Sequence, residues 1–299
     1  MGRSIGVLAM EHIAVGLVED HRLVGPLRVY PDGGATSSPL QTMPADQIAA
    51  TICDGAKAIA QGSTIDAIGV GFPGIIRAGI VEESPNLPQV KGFKLESTLS
   101  ALVATATPVR AINDADAFAA GIAASRGHLD ELIRVWTLGS GVGFGRYPAA
   151  SGMGEGGHIV VTLDAKEKYC GCGGIGHLEG IVGRRAMRLR FLDLEPEEVF
   201  ANARTGDARC STFVRTWHRA LAAATATSIH LEGPGRFFLS GPNATFVDVH
   251  LIDRYLHEMV TMSPLQGSTL EIVEASDETA IIGAAVNALK SLHVGSSPG

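Results

Sequence analysis

"YCGCGGIGHLEG", residues 169–180, governs the reading of this chain. Cys170 and Cys172 stand one residue apart. His177 follows the second cysteine by five positions, and Glu179 comes two later. Cys-x-Cys is too tight for a comfortable disulfide between its own members, and a thiol redox pair more usually reads Cys-x-x-Cys. Just upstream, "GEGGHIVV" (154–161) supplies Glu155 and His158. His158, Cys170, Cys172 and His177 together offer four nitrogen or sulfur ligands, the number that structural zinc takes in a tetrahedron. A metal site therefore ranks ahead of a redox pair. The plainer alternative is two free cysteines in a turn beside unrelated histidines. If a metal pins the loop, Glu179 is held in a fixed place, and a structural ion shapes a site without doing chemistry.

The rest of the composition suits such a site. The 299 residues are enough for one large or two medium domains. They are 45% hydrophobic and only 18% charged, with 37 glycines, which describes an enzyme-like globule rich in tight turns. A net charge of −7 argues against a general nucleic-acid surface. No apolar run reaches the length of a membrane span. The first twenty residues lack the basic start, apolar block and small-residue cleavage site of a signal peptide. Four cysteines in a chain of this length form no disulfide framework. The expected location is the cytoplasm.

Outward from the loop, strands and helices alternate. Residues 5–18 fit one or two strands, and 21–31 a third. Apolar spacing predicts a helix over 44–62, with Asp46 near its start and Gly62 at its end. A buried strand over 65–76 breaks at Gly-Phe-Pro-Gly. A helix follows over 95–106, a strand over 108–114 and a small-residue helix over 115–127. Residues 132–147 read as strand, glycine turn, strand, and helical text dominates 184–230. A strand runs into a loop over 236–244, and a closing helix over 277–292 precedes a loose tail. The class is α/β. The two halves share a plan, although no sequence repeat stands out.

Two further stretches can carry chemistry. In "INDADAF" (112–118) a strand ends at Asn113-Asp114 and a helix begins, the place where ligands bind in open α/β sheets. An acid there can act as a general base on a substrate hydroxyl, or it can simply cap the helix. In "LGSGVGFG" (138–145) the glycines at 139, 141, 143 and 145 let the backbone approach an anion. The alternative is a glycine-rich hairpin.

Together these pieces resemble the ROK family, the repressors and sugar kinases. "GVGFPGII", "ESPNLP", "INDADAFAAG", "TLGSGVGFG", "GEGGH", "CGCGGIGHLEG" and "DETAIIGAAVNAL" occur in the family's order and spacing, over nearly the whole chain. The resemblance implies a two-domain actin-like, ribonuclease-H-like sugar kinase fold with the sugar in a central cleft and a structural zinc beside it. On this plan residues 1–115, joined by the helix 277–292, form a smaller domain. Residues 116–276 form a larger one with the zinc loop. The resemblance makes Asp114 the base for the sugar hydroxyl and Asn86, Asn113, Asp114, Glu155, His158 and Glu179 the sugar contacts. It places Gly139, Ser140, Gly141 and Gly241 at the nucleotide, and implies magnesium-ATP and a homodimer. In the family the fourth metal ligand is usually cysteine, where this chain has His177.

One departure is large. The family's first strand carries Asp-x-Gly-Gly-Thr, and matching the second strand "IAVGLVED" puts Val7 at the aspartate, Ala9 and Met10 at the glycines and Glu11 at the threonine. Val7 cannot help hold magnesium, Ala9 and Met10 crowd phosphates, and Glu11 repels them. Ser140 replaces a usual threonine, Phe144 stands where glycine is common, and "LSGPNA" (239–244) departs from a glycine-rich stretch. Two readings follow. One is an ATP-dependent hexose or amino-hexose kinase with an unusual donor loop. The other is a non-kinase that binds or acts on a sugar without nucleotide. No helix-turn-helix precedes the first strand, which disfavours the repressor branch.

Overall fold

The structure, a computed structural model, describes residues 2–32, 39–103, 106–149 and 154–294. In chain order its elements are β1 (Arg3–Ala9), β2 (Ile13–Glu19), β3 (Arg22–Tyr30), α1 (Ala45–Ala60), β4 (Ala67–Phe72), β5 (Ile75–Arg77), β6 (Ile80–Glu83), α2 (Leu95–Val103), β7 (Val109–Asn113) and α3 (Asp114–Ser125). There follow β8 (Ile133–Leu138), β9 (Val142–Tyr147), α4 (Glu179–Val182), α5 (Arg184–Arg190), α6 (Pro196–Arg204), α7 (Ala208–Glu232), β10 (Arg236–Ser240), α8 (Val249–Met259), β11 (Thr269–Ile272) and α9 (Asp277–Val294).

Two compact units result. The first comprises residues 1–133, 145–153 and 276–299, and the second residues 134–144 and 154–275. The sequence plan put the division after residue 115. Helix α3 instead belongs with the first unit, because it packs along α9. Small residues permit that contact. A Cβ on Gly121 would lie 1.8 Å from the Thr279 carbonyl oxygen, and one on Gly283 would lie 1.7 Å from that of Ala117. The two backbones touch where any side chain would hold them apart.

The first unit is built on a five-stranded sheet in the order β3-β2-β1-β4-β7. The β1, β2 and β3 neighbours are antiparallel, while β1, β4 and β7 run parallel. Val7 lies in register between Val15 on β2 and Val70 on β4, and all three are buried in one apolar core. The parallel strands read as continuous apolar runs because both faces are covered.

The second unit carries a four-stranded sheet in the order β11-β10-β8-β9. Its core gathers Trp136, Trp217, Phe237, Leu239 and the inner faces of α7 and α8. Each indole finds an acceptor: Trp136 donates to Thr225 Oγ1 (3.0 Å) and Trp217 to the Val182 carbonyl (3.3 Å). Truncating either to alanine would cost about 3–5 kcal/mol. Loss of Trp217 would also release the end of α4, which carries Glu179. Helix α8 and strand β11 lie where the sequence reading named no element. Helix α8 had a local signal, since Asp248 accepts from Leu251 N–H as N-cap and Ile252, Tyr255 and Leu256 are buried at helical spacing. Helix α9 runs on to Val294, and the rest of the expected tail lies outside the described residues. No helix among the described residues is long and apolar enough to cross a membrane.

Candidate active site

In the first unit, β7 ends at Asn113 and α3 begins at Asp114. The cap is Asn113, whose Oδ1 accepts from Ala115 N–H (2.8 Å) and Asp116 N–H (3.4 Å). Asp114 is thus the first helical residue, and the capping role open to it in the sequence is filled by its neighbour. Its carboxylate sits in the first turn of the helix. The Asn113 amide also donates from Nδ2 to the Gly74 carbonyl (2.9 Å). Gly74, at a φ of +104°, packs against the turn that leads to Asn86: a Cβ there would meet Glu83 O at 2.2 Å. Leu87 N–H closes that turn on Ser84 O (3.1 Å), and both flanking residues are buried while Asn86 is exposed. Asn113 therefore ties the strand end to the Asn86 turn, and one amide hydrogen is left for a ligand.

Two residues further on, Asp116 Oδ1 accepts from Arg146 N–H (2.8 Å). Burial pushes its carboxyl up to about 6, opposed by that hydrogen bond and by the Arg146 charge. The β1–β2 turn is closed by Met10 N–H on His12 O (3.1 Å), and His12 Nε2 lies 2.7 Å from Asp277 Oδ2. With Val7 and Ala9 wholly buried in apolar surroundings, β1 does not fit the magnesium-holding carboxylate that the resemblance puts there.

In the second unit, the four expected metal ligands come together. Their donor atoms all lie within 4.8 Å of one another. Cys170 Sγ is 3.4 Å from His158 Nδ1 and 3.4 Å from Cys172 Sγ, and Cys172 Sγ is 3.2 Å from His177 Nδ1. Zinc bonds of about 2.0–2.3 Å give tetrahedral edges of roughly 3.3–3.8 Å, so the residues fit such an ion. Burial pushes the Cys170 thiol up to about 12, opposed by a hydrogen bond from the Cys172 backbone and helped by the Cys172 thiol and the Glu179 carboxylate beside it. A dication reverses that preference by binding the thiolate.

Glu179 fastens this loop to the glycine turn. Its Oε2 accepts from Val142 N–H (3.2 Å), and its Oε1 from Gly171 N–H (3.2 Å) and the Cys170 thiol (3.4 Å). Gly141 makes room for it: a Cβ there would lie 2.5 Å from Glu179 Oε2. This glycine serves packing. Gly139, by contrast, has nothing within 4 Å of where its Cβ would be, so a ligand can approach it. His158 divides its two nitrogens, with Nδ1 toward the sulfurs and Nε2 3.9 Å from Glu155 Oε2. Burial raises the Glu155 pKa, His158 opposes this and Glu179 adds to it.

The sequence reading missed several supports. Wholly buried Asn243 donates from Nδ2 to Gly139 O (3.1 Å) and Val182 O (3.3 Å), pinning the turn to α4. Arg190 pairs with Glu167 and lies over the Tyr169 ring at 4.4 Å, bracing the metal loop. Arg184 N–H and Arg185 N–H donate to Gly139 O (2.9 Å) and Ser140 O (3.1 Å). The run "GRRAMRLR" was the available signal.

Two α/β units, a strand-end asparagine–aspartate pair and a loop gathering two cysteines and two histidines define an actin-like two-domain protein of the sugar kinase fold. Residues 35–291 match the ROK family, and the chain belongs to it. A glucokinase from Pyrobaculum calidifontis is 30% identical over 249 residues, covering 78% of this chain and 82% of that protein. The ROK hexokinase from Thermus thermophilus aligns with a TM-score of 0.77 at 24% identity, over 98% of this chain and all of that one. A ROK glucokinase from Streptomyces griseus, in complex with glucose and AMPPNP, aligns at 0.62 with 22% identity over 97% of this chain and 100% of that one.

Proposed function

We propose that the protein is a sugar kinase that transfers the terminal phosphoryl group of ATP to a hydroxyl of a hexose or amino-hexose. One observation carries this. Asn113 caps α3, which places Asp114 as the first residue of that helix, directly where β7 ends. On this reading Asp114 accepts the proton of the sugar hydroxyl as its oxygen forms the bond to phosphorus, and ADP leaves with the cleaved bond's electron pair. Such transfer rests on positioning more than on covalent chemistry, and a base contributes about 10²–10⁴-fold. We assign sugar contacts to Asn86, Asn113, Glu155, His158 and Glu179, in line with the resemblance. Glu179 and His158 would act while also serving the metal loop.

We propose zinc for that loop, held by His158, Cys170, Cys172 and His177. Its role there is structural: it fixes the loop that Glu179 grips. The nucleotide is assigned to Gly139, Ser140 and Gly241, with Gly141 shaping the same turn by admitting Glu179. The reading also includes a homodimer, as the resemblance implies, and the cytoplasmic location expected from the composition.

The second reading, a sugar-binding protein without kinase activity, is favoured by the buried, apolar Val7. A coupled assay with a hexose panel and ATP decides between them. Phosphorylation of one hexose establishes the kinase. Tight sugar binding with no phosphoryl transfer establishes the alternative.

A further inference from the structure

Beside the glycine turn, the second unit holds a cavity of about 360 Å³ lined by Ser140, Arg184, Arg185, Arg188 and Leu189. Three guanidinium groups around one opening repel one another unless anions neutralise them. Two have local counter-charges. Arg184 Nη2 is 2.7 Å from Glu197 Oε1, and Arg188 Nη2 is 2.8 Å from Glu195 Oε2. These carboxylates stand outside the cavity's lining and orient the side chains. Arg185 differs. It is exposed, and among the described residues its guanidinium has no acceptor. Its backbone is anchored, since its N–H donates to Ser140 O (3.1 Å), and its Nη1 lies 3.3 Å from where a Cβ on Gly171 would be. Gly171 is the residue between the two cysteines, so Arg185 stands beside both the cysteine loop and the glycine turn.

A guanidinium with free donors beside an open glycine turn matches a phosphate, which it can engage through two parallel N–H···O bonds. We propose that Arg185, supported by Ser140, Arg184 and Arg188, binds the phosphate chain of the phosphoryl donor. The guanidinium charge would then do work that a carboxylate-held cation does elsewhere and that buried Val7 cannot support. This inference rests on the kinase reading for the word donor. The ligand chemistry itself is a chain of at least three phosphates, whether free or on a nucleoside.

The test uses the full chain, with inorganic tripolyphosphate and ATP as probes in calorimetry, each without magnesium. Wild type should bind at least one probe. Arg185→Ala should weaken that binding about tenfold to a hundredfold, the loss expected for charge-assisted hydrogen bonds, and Arg185→Lys should recover part of it. Sugar affinity and metal content should not change, and Arg219→Ala, on the distant α7, should bind like wild type. Equal losses for both probes identify the phosphate chain as the determinant, and a loss confined to ATP identifies a nucleotide. Wild-type affinity in Arg185→Ala, or no binding of either probe by wild type, overturns the proposal. If Arg185 controls tripolyphosphate binding but no sugar is phosphorylated, the kinase reading fails and this site stands. If sugar is phosphorylated with an unchanged donor KM in Arg185→Ala, the reverse holds.

Discussion

The imidazole of His177 occupies the space that a side chain at Gly174 would need: a Cβ built on Gly174 lies 2.0 Å from His177 Cε1 and 2.5 Å from its Nε2. Histidine is bulkier than the cysteine usual at this position in the family, and the loop accommodates it by having no side chain three residues earlier. The two positions form one device.

Gly174→Ala should therefore push His177 off its ligand position. The expected result is one zinc per chain in wild type by elemental analysis, and an affinity at least about tenfold lower in the variant, as for other disturbances of a ligand's setting. Gly174→Ala with His177→Cys should restore retention, because a thiol does not reach into the space beside residue 174. Equal zinc retention in wild type and Gly174→Ala would show that the imidazole is not a ligand.

Asp114→Asn should abolish turnover while keeping sugar affinity within about tenfold, since an amide keeps hydrogen bonding but cannot take the proton. Turnover at the wild-type rate would remove Asp114 from the chemistry and return it to a helix-start role.

The capping assignment makes a separate prediction about stability. Asn113→Ala should destabilise the protein by about 1–2 kcal/mol in urea unfolding, from loss of the cap, with a further share from the broken bond to Gly74. Asn113→Asp should keep the cap and lose only the donated bond. A larger loss from Asp114→Ala than from Asn113→Ala would reverse the assignment.

Asp116 predicts a pH dependence. Its folded-state pKa, about 6, lies above the ordinary 3.8, so the folded protein holds this proton more tightly than the unfolded chain does. Its unfavourable contribution is absent below pH 3.8, grows as pH rises to about 6 and is full above it. Asp116→Asn keeps an acceptor for Arg146 N–H and carries no charge. It should raise stability at pH 8 by up to about 3 kcal/mol, with the gain gone near pH 4. Thermal melts of both proteins across this range check the sign. A loss at pH 8 that vanishes toward low pH would show that the carboxylate is stabilising.

Much of this protein was legible in one dimension. The cluster of His158, Cys170, Cys172 and His177, proposed as a ligand set, shows in the sequence because it depends on residue type and short spacing, and the alternating strands and helices show because burial imposes a period. The asparagine–aspartate pair at a strand end was visible for the same reason. Which of the two caps the helix was not, since a cap depends on which side chain reaches two backbone N–H groups. Other facts arise only from contacts between distant residues. Gly141 looks like a phosphate glycine, yet its bareness admits Glu179, thirty-eight positions away. Arg185 looks like one of four arginines in a basic run, and only the folded chain gives Arg184, Arg188 and Arg190 their carboxylates and leaves Arg185 beside the open turn. Side-chain chemistry is written residue by residue, but how much of it is spent within the protein and how much is left for a ligand is decided by neighbours that only the tertiary structure supplies.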